Sequence, residues 1–289
     1  MNPLSFLAQM IRIAIPYLFA ASGGVVAERS GIVSLTLEGF MLGGAFGAVV
    51  GTNYSGNPWV GVLTGMLVGL AFALIHAVCT IRYRADQVVV GVAINLLAIG
   101  VTRFFLKLFF ASSSNSPRVA GFGGNIKLGG FDNPLLWLGL VVPMAVAYLI
   151  YRTPFGLRVR AAGEHPDSAE SVGVSVKRVR YVAVAISGIL AGLGGVYLAL
   201  DQHQFTDQMT AGRGFIAISA VIFGRWDPIR AALACLLFAA AETFQIQLQG
   251  KHAIASQFIE MIPYVLVIIA LAGLVGRAVP PAALGKVED

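Results

Sequence analysis

The chemistry open to this chain is narrow. Four histidines, His76, His165, His203 and His252, are scattered, with no HExxH or other spacing that sets two of them on one metal, so no metal site is expected. Cys79 and Cys235 both lie inside apolar runs and read as small core hydrophobes. No stretch reads glycine, four residues, then Gly-Lys-Ser/Thr, the pattern that cradles a nucleotide phosphate; at Gly285-Lys286 the first glycine is replaced by Pro280 and the hydroxyl residue by Val287. With no nucleophile–base pair either, the chain is expected to hold no catalytic residue and to bind no cofactor.

The remaining polar groups of interest sit within apolar runs, where a polar side chain is costly and usually faces a bundle interior or a wet cavity. Asn95, in Val92-Ala93-Ile94-Asn95-Leu96-Leu97, can both donate and accept, which suits a sugar hydroxyl or a base edge, and suits an interhelical hydrogen bond equally. Glu38, and Glu242 with Gln245 one helical turn on, either contact solute hydroxyls or pair with a basic residue to fix the fold. Phe40 and Phe215 either stack on a base or pack in the core. These six are the candidate substrate-path residues.

The elements that must position them follow from composition. Hydrophobic residues make up 57% of the 289 and charged residues 12%, and the mean hydropathy is +0.80. A globular domain carries about a quarter charged residues, so most of this surface must face lipid. The formal charge of +6 is dispersed between apolar segments and forms no basic face, which argues against nucleic acid. The N-terminus shows no basic region followed by a small-residue cleavage site, so no removable signal peptide is expected.

A helix needs about 20 apolar residues to cross a bilayer. That yields an all-α, polytopic bundle of about nine spans in one transmembrane domain over 1–289, near 5–27, 32–51, 58–81, 86–111, 134–151, 181–200, 208–224, 229–248 and 260–277. Arg12 interrupts the first, and Arg213 with several glycines the seventh. Arg29, Arg82, Arg84, the stretch from Arg152 to Arg180, Arg225, Arg230, Arg277 and Lys286 fall on one side, which is then the cytoplasm. Glycine ladders at four-residue spacing (Gly39 to Gly51, Gly61 to Gly69, Gly188 with Gly192) read as close helix contacts. Gly39-Phe40 with Ala45 before Pro58 is echoed by Gly214-Phe215 with Ala220 before Pro228, a faint inverted repeat that would place a solute path at its interface.

The longest charged stretch, 152–180, is expected to carry a short helix outside the membrane. Pro166 suits a first helical position, Asp167 its positive end, and Gly173 a left-handed stop. A helix of about two turns is marginal alone and needs a docking surface; the plainer reading is a basic loop held near anionic lipid.

The run Gly156-Leu157-Arg158-Val159-Arg160-Ala161-Ala162-Gly163-Glu164, then His165-Pro166, Ala169 and Gly173-Val174-Ser175-Val176, resembles the coupling loop of the ribose, simple-sugar and nucleoside permeases of ABC importers, a branched-chain-amino-acid-type family. Ser187-Gly188 and Ala191-Gly192-Leu193-Gly194-Gly195 extend it. Glu28-Arg29-Ser30-Gly31, Leu37 to Leu42, Met209 to Ala217, Ile222-Phe223-Gly224 and Pro281 to Lys286 are similar to the nucleoside and simple-sugar branch. The resemblance implies a permease subunit in a bacterial plasma membrane. Its partners would be a cytoplasmic ABC ATPase holding ATP-Mg, a second permease (paralogue or identical copy), an extracytoplasmic solute-binding protein, a small-molecule solute and membrane lipid. It also implies that Gly163, Glu164, His165, Pro166, Asp167, Ala169 and Gly173 couple to the ATPase. Nucleosides are the expected solute, simple sugars the alternative. An ion-coupled secondary transporter would use Glu38 or Glu242 as its mid-membrane carboxylate.

Overall fold

The structure is a computed structural model that describes residues 3–122, 133–249, 265 and 279–286. Helices α1 (Pro3–Arg29), α2 (Leu37–Ser55), α3 (Pro58–Ala77), α4 (Gln87–Phe110) and α5 (Pro134–Arg152) are followed by α6 (Pro154–Glu164), α7 (Pro166–Ser171), α8 (Val176–Asp201), α9 (Arg213–Phe223) and α10 (Pro228–Gln249). A π-helical turn, Val78–Arg82, prolongs α3. No strand occurs among the described residues, and Asn115 with Thr206 forms a single isolated bridge. Local chemistry sets several starts. Asn57 and Asn133 accept from the N–H two residues on, each ahead of a proline at the first helical position, and Asp86 accepts from Val88 and Val89.

Among the described residues, six helices are long and apolar enough to cross a membrane: α1, α3 with its π turn, α4, α5, α8 and α10. The fold is therefore an all-helical, multi-span bundle. α2 has the length, at 19 residues, but its glycines and polar ends lower its hydropathy, and Leu37 to Val49 are buried in the protein without interruption. The segment expected to span 208–224 is helical only over 213–223. Eleven residues rise about 16 Å, half a hydrocarbon core. The positive φ values of Gln208, Ala211 and Gly212 hold the preceding chain in turns. The second segment likewise starts at Leu37 and not near 32, because Gly31 turns at φ 95°. The segment expected near 260–277 lies outside the described residues, apart from Val265.

At the centre lies α1, with every residue from Ala14 to Glu28 buried. Arg12, which made this span doubtful from sequence, is held by Asp201 at the end of α8 at 2.9 Å. The glycine ladders serve contact between α2, α3 and α8. A β-carbon on Gly47 would meet the Thr64 carbonyl, one on Gly65 the Gly44 carbonyl and one on Gly69 the carbonyl of Gly188, while Gly44, off the ladder, faces the backbone of Gly192.

The arginine-rich connections gather at one end. Arg29 Nε donates to the Trp226 carbonyl (2.8 Å), Arg180 Nε to the Ser30 carbonyl (3.0 Å) and Tyr151 Oη to Asp227 (2.8 Å). At the other end Arg103 pairs with Asp207, and Ser116 and Val119 bond the backbone of Phe205 and His203. With Cys79 and Cys235 replaced, single cysteines at the exposed positions Ser168 and Ser113 are expected to react with impermeant maleimide from opposite sides of sealed membranes. Labelling of both from outside overturns the orientation.

Candidate functional site

Two places gather residues singled out by the sequence: a chamber within the bundle and an elbow outside it.

The chamber forms where the N-termini of α2 and α9 meet beside α4. The first turn of any helix leaves N–H groups without intrahelical partners. Here each helix is capped by its neighbour. Glu38, in the first turn of α2, accepts from Thr210 Oγ1 (2.6 Å), Gly212 N (2.9 Å) and Gly214 N (2.6 Å) at the start of α9. The approach requires glycine at 214, where a β-carbon would strike the Glu38 backbone. Asn95 of α4 accepts from Gly39 N (2.9 Å) and donates to Leu35 O (2.8 Å), capping α2 and pinning the connector before it. Asn95 is the ninth residue of α4, about 12 Å along that helix by its rise.

Glu38, Asn95 and Phe215 line a cavity of about 340 Å³, with Gly39, Leu42, Val92, Leu96, Ile99, Gln208, Thr210, Ala211 and Gly212. Both carboxylate oxygens of Glu38 are engaged. Asn95 keeps one N–H and one carbonyl lone pair beyond its two recorded bonds. Phe215 is 45% exposed and presents an open ring. The cavity therefore offers an aromatic surface and an amide to a neutral, partly polar solute, while the buried Thr210 hydroxyl is engaged with Glu38.

The other path candidates are elsewhere. Phe40 is buried in the core, edge-on to His76, and does not line this cavity. Glu242 accepts from Tyr17 Oη and pairs with Arg213 at 3.0 Å. Arg213 opens α9, where the helix dipole disfavours a cation, and Glu242 offsets that. Of the two roles the sequence left open for Glu242, the structure shows the fold-fixing pair. Gln245, half-buried on α10, does not line the cavity.

The elbow is built by α6 and α7. Thr153 Oγ1 accepts from Gly156 N at 3.1 Å to cap α6, with Pro154 next. His165, extended at φ −140°, breaks the two helices, and Pro166 opens α7. Gly173 at φ 85° ends it, with Val174 N donating to Ala169 O at 3.0 Å. Ala169 is buried against the bundle, while His165, Asp167, Ser168 and Val172 are exposed. Gly163 lies so near the Arg29 carbonyl that no β-carbon fits. Glu164 Oε1 stands 4.0 Å from Arg29, and its Oε2 accepts from Ala282 N at 3.3 Å.

Sequence reasoning missed several participants. Segment 279–286 straps the elbow down, with Ala283 N donating to Gly163 O (2.8 Å) and Gly285 N to Gly31 O (3.2 Å). These are backbone bonds with no side-chain signature. Arg180, buried, donates to Ser30 O and Ala162 O. Buried Glu28 accepts from Trp226 Nε1 and Ser34 N. An acid inside an apolar run was the available signal for Glu28.

The multi-span bundle thus carries a cavity between α2, α4 and the start of α9, and a short helix on one outer face. Residues 6–273 match the family described as "Branched-chain amino acid transport system / permease component", and the chain belongs to that family. It is 39% identical to the guanosine ABC transporter permease protein NupQ of Bacillus subtilis (strain 168), covering 94% of this chain and 92% of that one. It is 36% identical to the nucleoside ABC transporter permease protein NupC of Lactococcus lactis subsp. cremoris, covering 96% and 94%. A putative glucose ABC transporter permease protein of Haloferax volcanii, TsgC13, is 35% identical over 83% of this chain and 76% of its own. The chain is a multi-pass protein of the bacterial plasma membrane and a transport subunit.

Proposed function

We propose that this chain is the nucleoside-translocating permease subunit of an ATP-driven importer, as a single transmembrane domain. The observation that carries the reading is the chamber lined by Asn95, Thr210 and Phe215 in a chain close to two nucleoside-type permeases over nearly its whole length. The ring of Phe215 takes the base, and the free positions of Asn95 take a ribose hydroxyl or base edge. Exposed Asp167 and Ser168 on α7 suit docking into a separate ATPase, which holds ATP-Mg. A second permease, paralogue or identical copy, completes the transmembrane part of the importer in this reading. An extracytoplasmic binding protein delivers solute at the opposite end, where Arg12–Asp201 and Arg103–Asp207 lie.

The finer architecture of this reading is an inverted repeat of nine membrane segments, of which the seventh, α9, is a short helix that crosses only part of the bilayer. The N-termini of α2 and α9, each following a turn and each leading toward a proline-opened helix, are its matching ends. A sugar is the second reading, favoured by the identity to the putative glucose permease.

The test uses liposomes holding the chain with its ATPase, second permease and binding protein. ATP is expected to drive concentrative nucleoside uptake, and the chain alone is expected to give none. Asn95→Ala removes the bonds to Gly39 N and Leu35 O together with the amide's free positions, and is expected to lower uptake at least tenfold, each lost bond being worth about 0.5–1.5 kcal/mol, with assembly retained. Concentrative uptake by the chain alone under a sodium or proton gradient overturns the reading, and uptake of glucose with no uptake of nucleosides selects the sugar.

A further inference from the structure

The elbow and the chamber stand at opposite ends of α9, and one cluster of contacts joins them. At its N-terminus α9 is gripped by Glu38 and bears Phe215 on the chamber. At its C-terminus the chain turns through Arg225 and Trp226, both left-handed at φ 54° and 56°. Trp226 N returns to Val221 O at 3.0 Å, so this turn is continuous with the helix. The turn is bound to the last two residues of α1: Trp226 Nε1 donates to Glu28, and Arg29 Nε to the Trp226 carbonyl at 2.8 Å. Trp226 is 5% exposed and Glu28 3%. Arg29 in turn is the residue on which the elbow rests, through the Gly163 backbone and the Glu164 carboxylate. The second Glu28 oxygen accepts from Ser34 N at 3.2 Å, in the connector whose Leu35 carbonyl is bonded by Asn95.

We propose that Trp226 and Arg29 are the positioning residues through which movement of the α6–α7 elbow reaches α9 and thereby the solute chamber. This rests on the reading that the elbow docks an ATPase. The elbow is closely packed on the end of α1, since a β-carbon on Gly163 would strike the Arg29 carbonyl, and Ala283 N bonds Gly163 O at 2.8 Å. A displacement of α6 therefore carries Arg29, and with it the Trp226 turn. A helix of 11 residues, hydrogen-bonded throughout, moves as a rod about 16 Å long, and its far end bears Phe215. The left-handed pair at 225 and 226 is a strained conformation for L-residues and persists where surrounding contacts over-determine it. Those contacts are Glu28 and Arg29. The cluster differs from an ordinary staple in that both its partners, elbow and α9, end on a functional surface.

The experiment uses the assembled permease–ATPase complex in liposomes with its binding protein and nucleoside. Trp226→Phe keeps an aromatic ring and removes Nε1–H. Arg29→Lys keeps the charge but loses the fork that faces Trp226 O and Glu164 together. Both variants are expected to assemble, and the solute carried per ATP hydrolysed is expected to fall about tenfold. A purely structural role lowers complex yield, hydrolysis and uptake together and leaves that ratio unchanged. Asp167→Lys, on the exposed face of α7, tests the underlying reading separately. Normal ATP-driven uptake in Asp167→Lys removes the docking assignment and this relay with it. Loss in Asp167→Lys with a wild-type ratio in Trp226→Phe and Arg29→Lys overturns the relay alone. A spin label at Ser219→Cys on α9, with Cys79→Ala and Cys235→Ala and no change at 29 or 226, gives an answer independent of variant folding. Its spectrum is expected to differ between ADP-bound and ATP-trapped complexes, and identical spectra overturn the proposal.

Discussion

Gly163→Val is expected to lower ATP-driven uptake about tenfold to a hundredfold, and to lower recovery of the permease with its ATPase by a similar factor. The cause is steric. A β-carbon at 163 falls inside contact distance of the Arg29 carbonyl and close to Gly31 N (3.4 Å). Both neighbours are backbone, so no side-chain rotation relieves the clash, and overpacking of this kind costs roughly 1–3 kcal/mol. The elbow must lift away from α1, which breaks the bond from Ala283 N to Gly163 O and misplaces α7. Gly173→Ala makes the useful contrast. Nothing stands within 4 Å of a β-carbon there, but the φ of 85° is one an L-residue rarely adopts. Its cost is the left-handed strain of about 1–2 kcal/mol, confined to the end of α7, so uptake falls less and the bundle is unaffected. The checks are co-purification with the ATPase and uptake in liposomes. Wild-type assembly and uptake for Gly163→Val removes the coupling role from this elbow.

What was legible in the sequence follows physical type. Hydropathy and length found the six long apolar helices, because lipid imposes both on each span independently of its neighbours. The α7 turn was legible because Pro166 and Gly173 act on their own backbone, whatever lies nearby. The seventh segment, already interrupted in sequence by Arg213 and its glycines, is helical only from Arg213, because the chain turns at Gly212 and Glu38, 172 residues from Thr210 in the chain, supplies a cap. Phe40 and Phe215 occupy matching positions in the sequence echo, yet one is buried against His76 and the other opens on the chamber. Only packing separates them. Glu242 faced the same ambiguity, and its pairing with Arg213 depends on where α9 sets that arginine. The Trp226–Glu28–Arg29 cluster joins residues nearly 200 apart, and no local pattern points to such a bond.

Glu38→Gln is expected to lower the thermal midpoint of the detergent-purified permease by several degrees and to cut ATP-driven uptake at least tenfold, with α7 still competent to bind the ATPase. The carboxylate accepts three bonds, from Thr210 Oγ1, Gly212 N and Gly214 N, through both oxygens. Glutamine keeps one acceptor oxygen and turns an N–H₂ toward groups that are themselves donors. At least one backbone N–H at the start of α9 is then left without a partner in the bundle interior, at about 1–3 kcal/mol. Removing the negative charge from a helix N-terminus adds roughly 0.3–2 kcal/mol. The change is nearly isosteric, so the loss reads out hydrogen bonding and charge and not volume. Thr210→Ala separates the two: it removes one of the three donors, leaves both backbone N–H groups bonded to a carboxylate, and is expected to shift the midpoint by less than half as much. Because the same cap forms one wall of the chamber with Asn95 and Phe215, the uptake loss should exceed that of Thr210→Ala in the same order as the stability loss. An unchanged midpoint in Glu38→Gln shows that the carboxylate does not hold α9, and a full loss of uptake at an unchanged midpoint instead assigns Glu38 to direct contact with the solute.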